Sequence, residues 1–391
     1  MIFKLFGYFF ILGCTSFGGP AAHIGYFQKL FVEQLNWLTA AEYQQLVALS
    51  QVLPGPGSSQ VGFAIGLHKY GLIGGVLAFV GFTLPSFILL LLLSYFQFLF
   101  VDWGIEGIYA GLKLFAVMVV IDAIWTMGKS FCSSKETLAV CLIASAILFY
   151  FPYAWLTPLL ILLVGLVGYT VGAIKQDKAA LKHESSSHSD TGRNINKVRF
   201  IPLVGFFILL IGLPLIKSLH PIIELFDSFY QAGAMVFGGG HVVLPLLQQS
   251  MGDVVSQDTF LTGYAAAQII PGPMFTLATY LGAEWYVSSP VIGAIFATMA
   301  VFLPGLLLMY AMVKNWQMLM AKPKLMQAVK YINAAVVGIL IVALYNPIGI
   351  NAVHSISQFL IVILSLFIFR YSSLPIYIFA LLSIVGGAIL L

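Results

Sequence analysis

Charge is scarce in this chain. Asp, Glu, Lys and Arg together make up 8% of its 391 residues, against roughly 25% in a soluble domain. Most of the folded surface therefore cannot face water, and an ordinary soluble globule is excluded. Cysteine is scarce too. Cys14, Cys132 and Cys141 form no Cys-x-x-Cys pair, which excludes a disulfide framework and a cysteine-based zinc site and leaves buried apolar thiols as the expectation. Gly-x-Ser-x-Gly, His-Glu-x-x-His and paired histidines at helical spacing in an apolar run are all missing. Protease and haem-reductase chemistry thus lack the groups they need. The chain is read as a non-enzyme with no cofactor and no metal site. The net charge is +4, and the basic residues are scattered through loops, which argues against nucleic acid as a partner.

What is present is apolar length. Hydrophobic residues account for 60% of the chain, and the mean hydropathy is +1.00. Apolar runs at 71–100, 107–128, 153–174, 200–216, 290–313, 331–346, 352–369 and 374–391 read as membrane spans. Several exceed the roughly 20 residues that cross the hydrocarbon layer. Backbone polar groups in lipid must be satisfied internally, so the spans are helices. Barrel strands would alternate apolar and polar residues, and these runs do not. The apolar start, Met1 to Phe17, leads into a repeated motif and reads as structure rather than as a cleaved signal.

That motif occurs twice. Phe17-Gly18-Gly19-Pro20 and Gln51-Val52-Leu53-Pro54-Gly55-Pro56 return about 220 residues later as Phe237-Gly238-Gly239-Gly240 and Gln268-Ile269-Ile270-Pro271-Gly272-Pro273. Each copy is followed by an apolar run holding proline, Thr83-Leu84-Pro85-Ser86 and Phe302-Leu303-Pro304-Gly305. The polar stretch 175–199, rich in serine and lysine, separates the copies and reads as a flexible linker. The chain divides into a first transporter repeat, 1–174, the linker, and a second repeat, 200–391. His183 and His188 are solvated linker side chains on this reading.

Loop charge sets orientation, because Lys and Arg collect on the cytoplasmic side. Span 71–100 follows Lys69 and precedes Asp102 and Glu106, so it runs from inside to outside. Its counterpart 290–313 follows Glu284 and precedes Lys314, Lys322, Lys324 and Lys330, so it runs the other way. Lys129, Lys135, the linker and Arg370 then fall inside, and Lys217 does not fit. The expected fold is an all-α polytopic membrane protein of two inverted-topology repeats, with roughly 10–13 membrane segments. A multi-pass place in the cytoplasmic (inner) membrane follows, with the linker in the cytoplasm. The organisation is compatible with a homodimer.

Four shorter units, 3–36, 40–68, 224–252 and 258–288, are each interrupted by the Gly and Pro motifs. Thirty-four helical residues would extend about 50 Å, against a core of about 30 Å. Each unit is therefore either a re-entrant hairpin or a broken span. Broken helices in matching places of two membrane-embedded halves point to a transporter's substrate site. A helix restarting after a break offers unpaired amides and a positive dipole end, which suit an anion. The candidate binding residues are Gly18, Gly19, His23, Gln51, Gly55, Ser58, Ser59, Gln60, Gly239, Gly240, His241, Gln268, Gly272 and Thr276. The glycines offer backbone amides, the other side chains can donate hydrogen bonds, and none is acidic. Lys29, Glu42, Lys113 and Asp122 are candidates for charge or proton coupling. Lys113 aligns with Asn333, and it is either an anion attractor or a structural counter-ion.

Phe17 to Phe27, Leu53 to Pro56 with Ser58 to Gly62, Phe237 to Pro245, Pro271 to Pro273 with Tyr280 to Gly282, and Asn333 to Gly338 resemble the chromate ion transporter family. The resemblance implies a two-repeat inner-membrane protein that exports chromate, a tetrahedral dianion shaped like sulfate, on the proton or electrical gradient. The family often carries a basic cluster before the tryptophan of its first motif. Here Gln28, Lys29, Glu33, Gln34 and Asn36 precede Trp37, a weaker positive field. Transport of sulfate or another anion, and a non-transporting sensor or scaffold, are the competing functions.

Overall fold

The computed structural model describes residues 2–101, 106–153, 155–182, 199–237, 243–251, 254–314, 322–372 and 376–390. Most of the described residues are helical, and no strand is among them. In the first repeat, α1 is Ile2–Thr15, α2 Gly19–Phe27, α3 Ala40–Val52, α4 Gly57–Val101, α5 Glu106–Phe131, α6 Lys135–Tyr150 and α7 Leu156–Lys182. α8, Phe200–Ile216, leads into the second repeat. There α9 is Pro221–Met235, α10 Val243–Met251, α11 Gln257–Ile269, α12 Leu277–Trp285, α13 Pro290–Met312, α14 Pro323–Ala343, α15 Ile356–Tyr371 and α16 Ile376–Leu390. Among the described residues, six stretches are long and apolar enough to cross a membrane: 57–96, 110–131, 156–174, 200–219, 290–312 and 323–352.

The interrupted units are re-entrant hairpins. α4 bends at Tyr70 and Gly71, where the backbone leaves helical geometry. Its first arm, 57–69, lies back along α3. Gly57 approaches Ser50, while Leu46 with Ala64, and Glu42 with His68, line one pocket. α2 likewise folds back on α1, with the Phe27 and Phe31 rings against Phe9 and Trp37 against Tyr8. In the second repeat Gly263 of α11 meets Tyr280 of α12, and α10 packs on α9. Matched caps start matched helices. Thr39 closes a capping box with Glu42 at α3, and Ser256 caps α11 at the corresponding position. Ser134 caps α6 and Ser355 caps α15 in the same way.

The inversion is visible in the contacts. The base of the α3–α4 hairpin shares a pocket with Val313 and Lys314 at the end of α13, and its tip, Gly55, touches Gly305 midway along that helix. The base of the α11–α12 hairpin reaches the far end of α4, where Ser94 Oγ donates to Glu284 Oε1 at 2.6 Å, and its tip, Gly272, touches Ser86 midway. Equivalent hairpins thus enter from opposite faces, and α13 runs antiparallel to the second arm of α4. One face carries Lys69, Lys129, Arg199, Lys314 and Lys322, and the other carries Glu224, Asp258 and Glu284.

Parity explains α8. The second arm of α4, then α5, α6 and α7, cross in alternation and return the chain to its starting face. One additional crossing, α8, starts the second repeat from the opposite face. The span list read from sequence omits α6, whose apolar run after Lys135 and Glu136 falls short of the usual spanning length. α7 continues to Lys182, inside the stretch expected as linker. Residues 183–198, with His183 and His188, lie outside the described residues, as does Asp102. Of the cysteines expected to be buried, only Cys141 is. Cys132 is half-buried and Cys14 exposed, because their helix faces turn outward in an apolar surface.

The repeats also exchange partners. α14 of the second repeat packs on α6 and α7 of the first, and α5 of the first packs on α15 and α16 of the second. Ser145 Oγ donates to the Gly338 carbonyl at 3.2 Å across one of these seams. On the other seam Gly111 lies against Ser383 and Gly387.

Gly55 and Gly272 sit at φ +120° and +104°, and a Cβ on Gly55 would lie 2.6 Å from the Gly305 Cα. Strain and overlap together cost about 2–4 kcal/mol. Gly55→Ala should therefore lower the thermal midpoint of the detergent-solubilised protein sharply. Gly205→Ala, on an open face of α8 with nothing within 4 Å, should leave it unchanged.

Candidate functional site

The hairpin tips meet at mid-depth through the main chain. The Gly55 amide donates to the Val236 carbonyl at 2.8 Å, and the Gly272 amide donates to the Ser16 carbonyl at 3.0 Å. Val236 precedes Phe237-Gly238, and Ser16 precedes Phe17-Gly18, so the two bonds are equivalents of each other. Each Pro-Gly-Pro tip is docked on the first break of the other repeat. Gln60 secures the first tip, its Nε2 donating to the carbonyls of Pro54 at 2.9 Å and Gly305 at 3.0 Å. Thr276 Oγ1 donates to the Pro273 carbonyl at the other tip.

Beside these tips lies a cavity of about 740 Å³. Phe17, Gly18, Gly19 and Tyr26 line it from the first hairpin, Gln268 and Ile269 from the second repeat's Pro-Gly-Pro arm, Val119 and Asp122 from α5, and Phe369 and Ile376 from α15 and α16. Gly18 and Gly19 hold φ +97° and +73° at the start of α2, with Pro20 in its first turn and no side chain capping it. The positive end of α2 therefore opens on this cavity. The cavity extends toward the basic face, since Asp122 stands two turns before Lys129 on α5 and Phe369 is next to Arg370 near the end of α15. Asp122 is not isolated. Arg370 Nη1 donates to Asp122 Oδ1 at 2.7 Å, and the guanidinium stacks 5.0 Å from the Trp125 ring centroid. Sequence reading kept acids away from the breaks, yet the fold brings Asp122 to the wall. Its partner Arg370, 248 residues away in sequence, carried no local signal.

Other candidates lie behind the wall. His23 is fully buried, with Nδ1 3.3 Å from Ser58 Oγ and its ring edge-on to Phe82. The Ser16 backbone lies near the ring without closing a hydrogen bond to Nε2, which has no partner among the described residues. Ser16 Oγ, Ser59 Oγ, Gln60 Oε1 and Thr83 Oγ1 are buried without a partner in the same sense. Buried polar atoms are normally paired, so these buried groups make the protein around the tips unusually polar.

The remaining candidates are dispersed. Gln51 is exposed on α3, and Lys29 is exposed on the π-helical turn after α2. Glu42 is held by the Thr39 amide and hydroxyl at 2.8 Å, which keep its carboxyl below the usual range. Lys113 pairs with Asp258 at 2.6 Å on the acidic face, which favours the counter-ion role. Gly239, Gly240 and His241 lie outside the described residues.

Comparison with known proteins agrees with this architecture. A family model described as chromate transporter matches residues 3–169 and 223–390. A probable chromate transport protein of Synechococcus elongatus is 29% identical over 93% of this chain and 88% of its own length. A chromate transport protein of Pseudomonas aeruginosa is 26% identical over 77% and 70%. An uncharacterized transporter of Methanocaldococcus jannaschii is 25% identical over 99% and 94%. No solved structure matches. With both repeats matched, the chain belongs to the chromate transporter family.

Proposed function

We propose that this chain is a secondary transporter that exports chromate across the cytoplasmic membrane, and that the cavity beside the hairpin tips is its loading site. The observation that carries the reading is the convergence of the α2 amide end at Gly18 and Gly19 with Gln268 of the opposite repeat on one cavity. Gln268 Nε2 donates to Met274 Sδ at 2.6 Å, so the main-chain amides at the start of α2 are the donors that suit the oxygens of a tetrahedral dianion, with Gln268 beside them on the wall. The positive-inside rule makes the basic face cytoplasmic. The cavity then opens toward the cytoplasm, where an exported anion is loaded, and residues 175–199 lie on that side. Alternating access then moves bundles that mix the repeats, α5 with α15 and α16, and α6 and α7 with α14, about the docked tips. His23, Ser58 and Gln60 position the tips, while Gly18, Gly19 and Gln268 face the anion.

Amide donors read shape and charge, not the central atom. Sulfate and molybdate therefore compete with chromate for the same contacts.

Cells that make the protein should accumulate less chromate than cells without it, and unchanged accumulation at verified expression would rule out chromate export. In proteoliposomes, Gly19→Leu should cut chromate flux about tenfold or more, the equivalent of roughly 1.4 kcal/mol or more of lost contact. A Cβ at Gly19 meets nothing within 4 Å, but the φ of +73° strains any side chain there, so the flux is compared per unit of folded, monodisperse protein. Lys29→Ala, which changes only an exposed charge, should alter flux by no more than about twofold. His23→Ala should lower flux by loosening the α2–α4 contact while leaving the competition between sulfate and chromate unchanged.

A further inference from the structure

We propose that Arg370 is an oxyanion ligand held in reserve by Asp122, and that oxyanion binding in the cavity is accompanied by protonation of Asp122. The proposal rests on the anion-transport reading above and adds the groups that link the anion to a proton. Three observations carry it. Asp122 lines the same cavity as Gly18, Gly19 and Gln268. Arg370 reaches it through a single 2.7 Å contact, and both side chains are about three-tenths exposed, at 30% and 27%. The guanidinium also rests on Trp125, about one turn from Asp122 on α5, whose ring holds it beside Asp122 when the carboxylate lets go.

A dianion entering from the basic face meets this pair next. Against an ionised Asp122 it is repelled, and more strongly in a partly buried site than in open water. Arg370 cannot give its fork to both the carboxylate and the anion. Taking up one proton makes Asp122 neutral, frees the guanidinium, and lets two parallel N–H donors meet two anion oxygens. The balance is simple. One dianion and one proton enter, no covalent bond to the anion forms, and the loaded site carries one negative charge fewer than the anion alone. If the pair crosses together, each cycle moves one net negative charge outward, a direction that an inside-negative potential favours.

The surroundings leave this pair in control. Across the cavity α2 presents Tyr26, α11 presents Gln268 and Ile269, and α16 presents Ile376. α14 contributes nothing to the wall. On α5 itself Lys129 stacks on the Trp125 ring, and Lys113 is tied to Asp258 at the other end of the helix. Among the described residues Arg370 is the charge acting on Asp122.

The test is equilibrium binding of radiolabelled sulfate to the full chain in nanodiscs. Sulfate stays a dianion across the range used, whereas chromate changes its own protonation. Wild-type affinity should weaken from about pH 5.5 to about pH 8, by up to tenfold per unit where one proton is linked. Asp122→Asn should bind tightly with a flat pH profile. Arg370→Gln should bind at least about tenfold more weakly at every pH, with Arg370→Lys intermediate. Lys129→Ala should keep the wild-type slope. A slope that survives in Asp122→Asn, or wild-type affinity in Arg370→Gln, would overturn the proposal while leaving anion transport standing. Failure of the wild type to bind sulfate, molybdate or chromate at any pH would bring down the transport reading and this coupling with it.

Discussion

Two main-chain hydrogen bonds, from Gly55 to Val236 and from Gly272 to Ser16, hold the tips of re-entrant hairpins together at the level where a bilayer offers no water. An amide or carbonyl left bare at that depth costs several kcal/mol. Neither repeat can close its own Pro-Gly-Pro tip, because the acceptor stands on the other repeat. The partner exchange of the outer helices, α14 on α6 and α7, and α5 on α15 and α16, follows the same rule. The two halves are therefore one folding unit, although the sequence presents them as consecutive copies.

The same bonds explain why glycine occupies the tips. Gly55 lies against Gly305 and Gly272 against Ser86, where the long helices pass through mid-depth. A side chain would push the tip off the helix and break the amide contact with it. Proline on either side stiffens the turn and removes donors that would otherwise need partners. The polar atoms that do remain bare, at His23, Ser59, Gln60 and Thr83, lie in the layers just behind the cavity wall. Unpaired polar atoms are costly in a dry apolar core, so their clustering marks this layer as the polar part of the interior.

Much of this was legible in the sequence, for physical reasons that differ by feature. Pro-Gly-Pro and Phe-Gly-Gly mark breaks because their backbone effects are local, so the tips could be placed to the residue. Loop charge showed the inversion because basic residues partition between the two faces one loop at a time. The choice between broken span and re-entrant hairpin was not legible, since it depends on Phe27 finding Phe9 and Tyr280 finding Gly263. α6 escaped notice because its apolar run, opening on Lys135 and Glu136 and ending at Tyr150, is shorter than the usual span. Ser58, Gln60 and Thr276 looked like ligand donors by type, but local geometry turns them toward His23 and toward backbone carbonyls. Asp122 drew attention as a charge in a span, while its meaning depended on Arg370, which only the packing of α15 on α5 brings within reach.

That pair also separates the symmetry of the scaffold from the asymmetry of the site. The backbone bonds, the caps and the glycine contacts all recur in both repeats. With Lys113 matched to Asn333, Asp122 falls on Val342. With Ser134 matched to Ser355, Arg370 falls on Phe149. The fold thus offers two related half-sites and charges only one of them. A symmetric scaffold accounts for two alternating conformations of similar energy, because exchanging the repeats exchanges the faces. It cannot by itself favour binding from one side. On the proposed coupling, the ion pair on the basic side is the source of that bias, since it has no equivalent at the matched positions of the other repeat.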